Sequence, residues 1–531
     1  MPALSRRAFL AGAVAAGVGL SSPVAAQAQS APARRRTPVP LTRENHRVVV
    51  VGSGFGGGVT ALRLAEAGVP VLVLERGIRW PTGPNARTFP SGLSPDKRAL
   101  WYESSPELFG RPVAFEPYTG LIEAVPGENM TALCGAGVGG GSLVYQGMAL
   151  QPDEAVFHTQ FPEQLDYATM AQVHYPRVAR MLQLAVAPDE LVNTPNYKAA
   201  RVFAQNVKRA GLPLSKIPMP IDWDYALDEL AGLMAPSYTN GDGALGVNNA
   251  GKHSVDVTYI AAAEATGRVK VETLHQVTDV ERAKDGRWTV YVDRIDTSGQ
   301  VLENKILTTN VLVMAAGSLN TSKLLVRAAA TGRISDMPDG LGAGWGTNAD
   351  RIYVWTNLDE EFGAPQGGPV VYGSRCWEDP SSAVTVIQAS IPPLSFDARS
   401  TMLVGFGVSD SRGRFVYDSA QDVATLRWPE DGDTVIQNGH IDPTVRKIAG
   451  QGSVLTDTNA SLPSTWHPLG GACMGTVCDL EGRVHGQRGL YVLDGALMPG
   501  NTAACNPSMT IAAVAERALE QIVAEDVGSV I

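Results

Sequence analysis

Residues 47–75 read RVVVVGSGFGGGVTALRLAEAGVPVLVLE, and this stretch decides the fold. An apolar run stops at Gly52, a short segment rich in alanine and leucine follows, and a second apolar run closes on Glu75. A strand, a glycine turn, a helix and a second strand in this order predict a βαβ unit with parallel strands. The two predicted strands cover residues 47–51 and 71–74.

Three glycines at the turn, Gly52, Gly54 and Gly57, have the spacing G-x-G-x-x-G of a dinucleotide-binding motif. The first permits a tight turn, the second lets the backbone approach a pyrophosphate, and the third lets the helix pack closely on the strand. The free N–H groups at the start of the helix, beside Phe55, favour phosphate. Glu75 follows at the distance expected of an acid that hydrogen-bonds a ribose hydroxyl, although a plain surface acid is the alternative.

Two further regions indicate that the dinucleotide is FAD. The stretch GAGVGGGSLV at 135–144 is too rich in glycine for a strand or a helix. Such a loop lets the backbone lie against a flat ring or a phosphate, although a flexible loop is the alternative. The stretch YVLDG at 491–495 can direct Asp494 towards a ribityl chain or a pyrophosphate. A nicotinamide enzyme does not need this late segment to return to the first βαβ unit, so we predict FAD.

The rest of the chain predicts helices over 167–184 and 198–210 and many short strands between 267 and 430. The fold class is therefore α/β, with a Rossmann-like FAD-binding domain and a substrate domain that has a mainly antiparallel sheet and helices. The predicted FAD-binding domain is discontinuous and comprises 45–160, 250–345 and 464–531, and the predicted substrate domain comprises 161–249 and 346–463.

Residues 1–28 predict a twin-arginine signal peptide. They contain SRRAFL at 5–10, a weakly apolar run and the small-residue site AQA at 26–28. The alternative is a transmembrane anchor, but the apolar run is shorter than the ~20 residues that a spanning helix needs. Residues 29–44 predict a polar linker, and the mature protein is expected to be secreted.

Composition excludes several classes of function. The net charge of −10 argues against binding a nucleic-acid backbone, and the histidines and cysteines lack the spacing of a zinc site, so no metal is predicted. The five cysteines are too few and too irregular for a disulfide framework. Cys473 and Cys478 could form one local bridge, or both could be free thiols in the core.

With these motifs the chain resembles the glucose–methanol–choline (GMC) oxidoreductase family, and within it the bacterial cholesterol oxidases that bind FAD non-covalently. The likeness runs over most of the chain that follows the linker. It is carried by PDKR (95–98), NNAGK (248–252), TY (258–259), AAGS (315–318), LL (324–325), GWG (344–346), HPLGG (467–471) and NPSMT (506–510).

The resemblance implies a catalytic role for His467 and Asn506. Hydride transfer from a carbinol carbon requires that the hydroxyl proton is accepted, and an imidazole can exchange a proton near neutral pH. Asn506 would hydrogen-bond the substrate oxygen or polarise its site. A structural histidine and an ordinary Asn-Pro turn are the alternatives. Met148 is expected either beside the flavin or in the core.

The cofactor-binding residues predicted from the motifs and the resemblance are spread along the chain. They are Gly52, Gly54, Phe55, Gly57, Glu75, Gly137, Gly140, Gly141, Ser142, Tyr145, Met148, Val277, Gly317, Asp494, Gly495, Asn506 and Pro507.

The chain departs from the family pattern at three places. Gln388 is predicted at the position of the glutamate that moves a proton between steroid carbons, and an amide cannot do this. Glu360, Glu361, Asp379 or Asp397 could replace that acid in space. Tyr145 and Gln146 stand where asparagine and glycine are usual beside the flavin, and Trp466 stands where a tyrosine is usual before the histidine.

The sequence thus predicts a secreted alcohol oxidase that acts on a 3β-hydroxysteroid or similar polycyclic alcohol, with reoxidation of FAD by oxygen and release of hydrogen peroxide. The Δ5-isomerase step is expected to be weak or absent. The alternatives are a dehydrogenase of another alcohol with a different electron acceptor, and a silent flavin-bearing sterol binder. We expect a monomer, and peripheral contact with a membrane stays open.

Overall fold

The computed structural model describes residues 39–108, 111–460 and 463–531. The predicted signal peptide and residues 29–38 of the predicted linker lie outside this part. The first strand begins at Leu41 rather than at residue 47, because Leu41 to His46 pair with Asn304 to Thr309 of a neighbouring strand. The last residues of the predicted linker are therefore part of a sheet.

Strands and helices are interspersed along the described residues. The strands are β1 (Leu41–Val51), β2 (Val71–Glu75), β3 (Glu107–Leu108), β4 (Arg111–Pro112), β5 (Ile122–Pro126), β6 (Thr131–Gly135), β7 (Ser215–Lys216), β8 (Val269–Thr273), β9 (His275–Arg282), β10 (Trp288–Ile295), β11 (Val301–Met314), β12 (Arg351–Thr356), β13 (Tyr372–Cys376), β14 (Val384–Ala389), β15 (Ser400–Gly407), β16 (Arg414–Asp418), β17 (Val423–Arg427), β18 (Val454–Asp457), β19 (Ser464–Thr465) and β20 (Leu490–Val492).

The α-helices are α1 (Phe55–Glu66), α2 (Glu154–Phe157), α3 (Tyr167–Thr169), α4 (Tyr175–Met181), α5 (Asp189–Val192), α6 (Lys198–Arg209), α7 (Asp224–Leu230), α8 (Ala261–Ala265), α9 (Gly317–Ala330), α10 (Thr434–Ile436), α11 (Asp442–Ala449) and α12 (Pro507–Glu525). Short π-helical segments connect some of them, at Met170–His174, Asp256–Ile260 and Gln437–Ile441.

A seven-stranded sheet carries the dinucleotide-binding motif. Its parallel part has the order β8-β2-β1-β11-β20, and β10 and β9 extend it on the β11 side by antiparallel pairing. The unit β1-α1-β2 is parallel, which confirms the predicted Rossmann-like architecture. The late strand β20 pairs with β11 and so returns the end of the chain to this sheet.

A second, six-stranded sheet has the order β18-β12-β15-β14-β13-β7, and its pairings are antiparallel, as predicted for the substrate domain. Its strands come from residues 215–216 and 351–457. One face packs on α6 and α11 through an apolar cluster that includes Phe203, Val386, Leu403 and Val445. The opposite face is available to cover the cavity described below.

The described residues contain no helix that combines the length and the apolar character of a membrane-spanning segment. Within the same ranges, no group of three or more His, Cys, Asp or Glu side chains is placed to hold a metal ion. The five cysteines are free thiols, so Cys473 and Cys478 are not bridged. Cys473 and Cys478 are buried, as the alternative of core thiols requires.

Candidate active site

One cavity of about 1050 Å³ extends from the dinucleotide-binding motif to the antiparallel sheet. Gly52 and Glu75 line one end, and Ile387 and Met402 of the six-stranded sheet line the other. His467 is also part of the wall. The two sheets therefore share a single interior space. We call its part near the glycine motif the cofactor end and its part near the antiparallel sheet the chamber.

The glycine motif is required by close backbone contacts. A Cβ on Gly52, whose φ is +100°, would lie 2.2 Å from the carbonyl oxygen of Ala315. A Cβ on Gly57 would lie 2.1 Å from the carbonyl oxygen of Gly52, so this glycine serves the packing of α1 and does not line the cavity. The tightest contact is at Gly56, where a Cβ would lie 1.5 Å from the carbonyl oxygen of Leu493. The sequence motif did not single out Gly56.

Glu75 ends β2 and is buried at the cofactor end. One of its carboxylate oxygens accepts a hydrogen bond of 2.6 Å from the Ser53 hydroxyl. The other accepts from the backbone N–H of Gly77 at 2.9 Å and of Gly137 at 3.3 Å. Because the acid is buried, lines the cavity and is held by the glycine loops, it is not a plain surface residue.

The loop rich in glycine, residues 135–144, forms part of the cavity wall beside the motif. Gly140 has φ +54°, and a Cβ there would lie 2.9 Å from the Cα of Gly54. Gly137 and Ser142 do not line the cavity. A Cβ on Gly137 would meet Trp80, and the Ser142 hydroxyl bonds within the protein, so both residues shape the loop rather than face a ligand.

Asp494 follows β20 and is buried in the cavity wall. Its carboxylate accepts hydrogen bonds from the backbone N–H groups of Gly317 (2.8 Å) and Ala496 (2.8 Å) and from the Thr321 hydroxyl (2.6 Å). Burial raises the pKa of Asp494 to about 6, even though these hydrogen bonds oppose the rise. The acid thus ties the start of α9 to the end of β20.

Among the described residues of the cavity wall, two have a buried polar atom with neither a hydrogen bond nor an ion pair. The side-chain nitrogen of Asn506 donates to the carbonyl oxygen of Met148 and to the Ser508 hydroxyl (2.8 Å), and its oxygen Oδ1 is unpaired. The hydroxyl of Tyr145 is also unpaired, and its ring packs edge-on against Phe55 at 5.5 Å. Unpaired buried polar atoms are costly, so they point to a ligand with complementary groups.

These observations fit FAD. The close glycine contacts leave bare backbone and the N-terminus of α1 at the cofactor end, and Glu75 stands beside them for a ribose hydroxyl. The predicted cofactor residues in the wall are Gly52, Gly54, Phe55, Glu75, Gly140, Gly141, Tyr145, Met148, Val277, Gly317, Asp494, Gly495, Asn506 and Pro507. Of the predicted set, Gly57, Gly137 and Ser142 are not in the wall.

His467 forms a hydrogen-bonded pair with Asp350, at 2.6 Å between Nδ1 and a carboxylate oxygen. The imidazole is only partly buried and lines the cavity, and its ring packs edge-on against Phe406 at 6.0 Å. The strand β19 ends two residues earlier and pairs with β6, which fixes the approach of the chain to His467. The bond to Asp350 uses Nδ1, so Nε2 is the nitrogen left for a substrate.

Asp350 is buried and anchored on three sides. Its second oxygen accepts hydrogen bonds from the Thr465 hydroxyl at 2.8 Å and from the backbone N–H of Trp466 at 3.1 Å. Burial alone would raise the pKa of Asp350, but the charge and hydrogen bonds of His467 and Thr465 outweigh it, so the pKa is lowered. Asp350 is therefore the ionised partner that orients the imidazole.

The sequence reasoning missed Asp350, although it lies four residues after the quoted GWG motif. The same segment also holds the loop before Asn506. The side chain of Asn348 donates to the carbonyl oxygen of Cys505 at 2.7 Å and accepts from the backbone N–H of Thr502 at 3.0 Å. One segment, residues 346–350, thus positions both His467 and Asn506.

The placement of Gln388 at the reacting centre is wrong. Neighbouring side chains of a strand point to opposite faces, and in β14 it is Ile387 and Ala389 that line the cavity. Gln388 is buried on the other face, where its amide donates to the Thr401 hydroxyl at 2.9 Å. The residues on either side of Gln388 face the cavity in its place.

The four acids considered as substitutes, Glu360, Glu361, Asp379 and Asp397, do not line the cavity. Among the described residues, the carboxylates in its wall are Glu75, Glu107, Asp350, Asp422 and Asp494. Gln146 and Trp466, the other departures from the family pattern, do line it. The chamber is otherwise mostly apolar, with Leu93, Val247, Val354, Ile387, Ile391, Leu394, Met402 and Val404 in its wall.

Comparison with known proteins gives three sequence-family matches. Residues 116–336 and 414–515 match the two models described as GMC oxidoreductase, and residues 50–111 match the NAD(P)-binding Rossmann-like domain. The first two matches together span more than half of the chain.

Similar curated proteins include the cholesterol oxidase of Mycobacterium tuberculosis, 28% identical over 90% of this chain and 91% of that protein. The cholesterol oxidase of Acinetobacter baumannii is 25% identical over 91% of this chain and 96% of that protein. Among solved structures, the pyridoxine 4-oxidase from Mesorbium loti has a TM-score of 0.62 at 16% identity and covers 90% of this chain and 99% of its own. This structural likeness concerns the fold alone.

Proposed function

Because the chain belongs to the GMC oxidoreductase family, we propose that it oxidises a secondary alcohol on a bulky apolar molecule, with a 3β-hydroxysteroid or similar polycycle as the substrate class. FAD is the cofactor, and when bound it supplies the acceptor for the hydride of the carbinol carbon. The observation that carries the proposal is the His467–Asp350 pair in the wall of a mostly apolar chamber.

His467 is proposed to accept the hydroxyl proton. The ionised Asp350 accepts a hydrogen bond from Nδ1–H, and this selects the imidazole form with a lone pair on Nε2. As hydride leaves the carbinol carbon, the O–H proton moves to Nε2 and the C–O bond becomes a carbonyl. The buried carboxylate then stabilises the imidazolium, which is why removal of its charge should slow the reaction.

Asn506 is proposed to orient a donor in the cavity. Its Nδ2 is already bonded to Met148 and Ser508, so the side chain presents only the acceptor Oδ1. An acceptor can bind the hydroxyl of the alcohol or an N–H of the cofactor, but it cannot donate to the carbonyl oxygen of the product. This refines the role expected from the sequence.

Isomerisation of a Δ5-ketone is proposed to be absent, for a reason that differs from the sequence argument. Gln388 does not face the chamber. Of the carboxylates in the wall, Glu107 is exposed to solvent, and the others already accept hydrogen bonds from protein groups, as Glu75 and Asp494 do. Vigorous formation of a conjugated enone by the wild type would contradict this. The variant Gln388→Glu is expected not to form the enone, because residue 388 points away from the chamber.

Oxygen is the proposed final electron acceptor, with hydrogen peroxide as its product. The test mixes the flavin-loaded protein without oxygen with 3β-hydroxysteroids, long aliphatic alcohols and small alcohols, and follows the flavin absorbance. We expect rapid bleaching by a steroid, slow bleaching in His467→Gln at unchanged flavin content, and peroxide on admission of air. Bleaching only by other alcohols would reject the steroid, and recovery only with a dye acceptor would reject the oxidase.

Export by the twin-arginine route is a separate proposal and rests on the arginine pair at residues 6–7. Replacement of both arginines by lysine should retain the protein in the cytoplasm of an expressing cell.

Peripheral membrane contact is proposed because Leu93 lines the cavity and is 53% exposed, while Phe396, two residues after the lining Leu394, is 45% exposed. Flotation of wild type with sterol-containing vesicles, and its loss in Leu93→Ser, would support the contact.

A further inference from the structure

Lys252 is a buried cation for which the proposed reaction has no use. It ends the NNAGK motif. The two asparagines of this motif form hydrogen bonds to neighbouring loops and therefore have a structural role. Its side-chain nitrogen Nζ donates to the carbonyl oxygens of Leu143 (3.0 Å) and Tyr145 (2.8 Å). Both carbonyls belong to the chain segment that leads from the glycine-rich loop along the cavity wall.

No described carboxylate forms an ion pair with Lys252. Asp256 is the acid that influences its charge, but the Asp256 carboxylate accepts a hydrogen bond from the Ser254 hydroxyl instead. Burial lowers the pKa of Lys252 to about 7 and raises the pKa of Asp256, so neither charge is adequately compensated by the other. Burial of an unpaired charge is unfavourable, so an anion bound nearby would stabilise the ammonium form of Lys252.

The position of Lys252 indicates which anion it serves. Nζ lies 4.9 Å from the centre of the Tyr145 ring, and Tyr145 lines the cavity with an unpaired hydroxyl. The same ring contacts Phe55 at the start of α1, in the dinucleotide motif. Lys252 is therefore separated from the cofactor end by a single side chain. FAD brings a diphosphate, and its ring gains negative charge when it accepts hydride.

We propose that Lys252 is a positioning residue whose positive charge, acting through Tyr145 and the loop carbonyls, strengthens FAD binding and raises the reduction potential of the bound flavin. The attraction between unit charges one side chain apart in a protein interior is large enough to change an affinity by about tenfold or more. This inference depends only on the cofactor, so it stands or fails independently of the proposed sterol substrate.

The test compares Lys252→Gln, Lys252→Arg and Lys216→Gln. Glutamine keeps a donor for the loop carbonyls and loses the charge, whereas arginine keeps the charge and changes the geometry. Lys216 is the matched control, since its Nζ also donates to a carbonyl oxygen, that of Ala187 at 2.6 Å, and it does not line the cavity. The readouts are the dissociation constant of FAD from the apoprotein and the midpoint potential of the bound flavin.

We expect Lys252→Gln to weaken FAD binding by about tenfold or more and to make the potential more negative, while Lys252→Arg and Lys216→Gln stay near wild type. Wild-type affinity and potential in Lys252→Gln would overturn the proposal and leave Lys252 as a loop anchor. If the glutamine variant does not fold, Lys252→Met is compared with Lys252→Arg: a more negative potential in the methionine variant alone supports the proposal, and a wild-type potential in the methionine variant overturns it.

Discussion

The turn at residues 52–57 and the strand β14 flank the same cavity, but the sequence specifies them in different ways. In the turn the backbone itself is the functional surface, because glycines remove side chains that would collide with Ala315, Gly52 and Leu493. In β14 the backbone is an ordinary strand, and function depends on which face each side chain occupies. A local motif is therefore sufficient for the turn, whereas the strand needs its sheet partners.

The largest effect is expected from Gly56→Ala. This variant tests whether the turn requires the close backbone contact between Gly56 and Leu493. The new Cβ would lie 1.5 Å from the carbonyl oxygen of Leu493, so α1 and the end of β20 cannot both keep their places. We expect loss of flavin-loaded, folded protein, measured by the ratio of flavin to protein absorbance. The control Gly439→Ala adds a methyl group where no atom lies within 4 Å, and normal flavin loading is expected. Normal loading of Gly56→Ala would refute the contrast.

A smaller effect, on turnover alone, is expected at the chamber side from Asp350→Asn. Loss of the carboxylate charge removes the group that selects the Nδ1–H form and stabilises the imidazolium, so kcat should fall by about 10²-fold while flavin content stays unchanged. Rapid anaerobic bleaching of the flavin measures the step directly. Asp433→Asn is the matched control, because Asp433 is also buried and accepts from Thr347 and Ser409, but it does not contact His467. Equal losses in both variants would assign Asp350 a purely structural role.

The two halves of the cavity should also respond to pH with opposite sign. Asp494 at the cofactor end has its pKa raised to about 6, so the folded apoprotein loses stability as pH rises from about 4 to about 6. Asp350 has a lowered pKa, so its contribution is present above about pH 4 and is lost as pH falls further. The free energy of unfolding of the apoprotein can be measured in urea from pH 4 to 7. Over this range the value for Asp494→Asn, relative to wild type, should increase by on the order of 2 to 3 kcal/mol. A constant difference across this range would contradict the assignment.

The smallest effect is expected from Gln388→Met, which tests the face of β14. The side chain bonds only within the core face, to Thr401, so the variant should lose about 1 kcal/mol of unfolding free energy. Its turnover should remain within about twofold of wild type, because substrate does not reach this face. A large loss of turnover with little loss of stability would restore Gln388 to the reacting centre.

The sequence predicted the features that depend on local pattern. The βαβ unit, the return of YVLDG to the first sheet, and the placing of His467 and Asn506 in one cavity follow from motifs whose geometry is carried by a few adjacent residues. The predicted α/β class and the predicted antiparallel second sheet are also confirmed. Here a quoted motif and its neighbours contain the information.

The remainder required the folded chain. Gln388 was misplaced because a shift of one residue in a strand exchanges its two faces. Both faces of β14 carry apolar residues, so the sequence pattern does not show which face lines the cavity. Asp350 was missed because its partner, His467, lies 117 residues away and is brought near by the pairing of Gly346 with Leu469. The start of β1 at Leu41 was missed because its alternating exposed residues are paired by a distant strand.

The order of the cavity wall along the chain has a consequence for synthesis in the cell. The wall draws on Gly52 near the beginning and on Asp494, Asn506 and Pro507 near the end, and β20 completes the parallel sheet only when residues 490–492 are available. Until this segment has left the ribosome, the part of the cavity wall that it forms is missing beside the glycine turn. Cofactor loading must therefore follow the synthesis of residues 490–507, and nascent chains that lack this segment should not retain FAD.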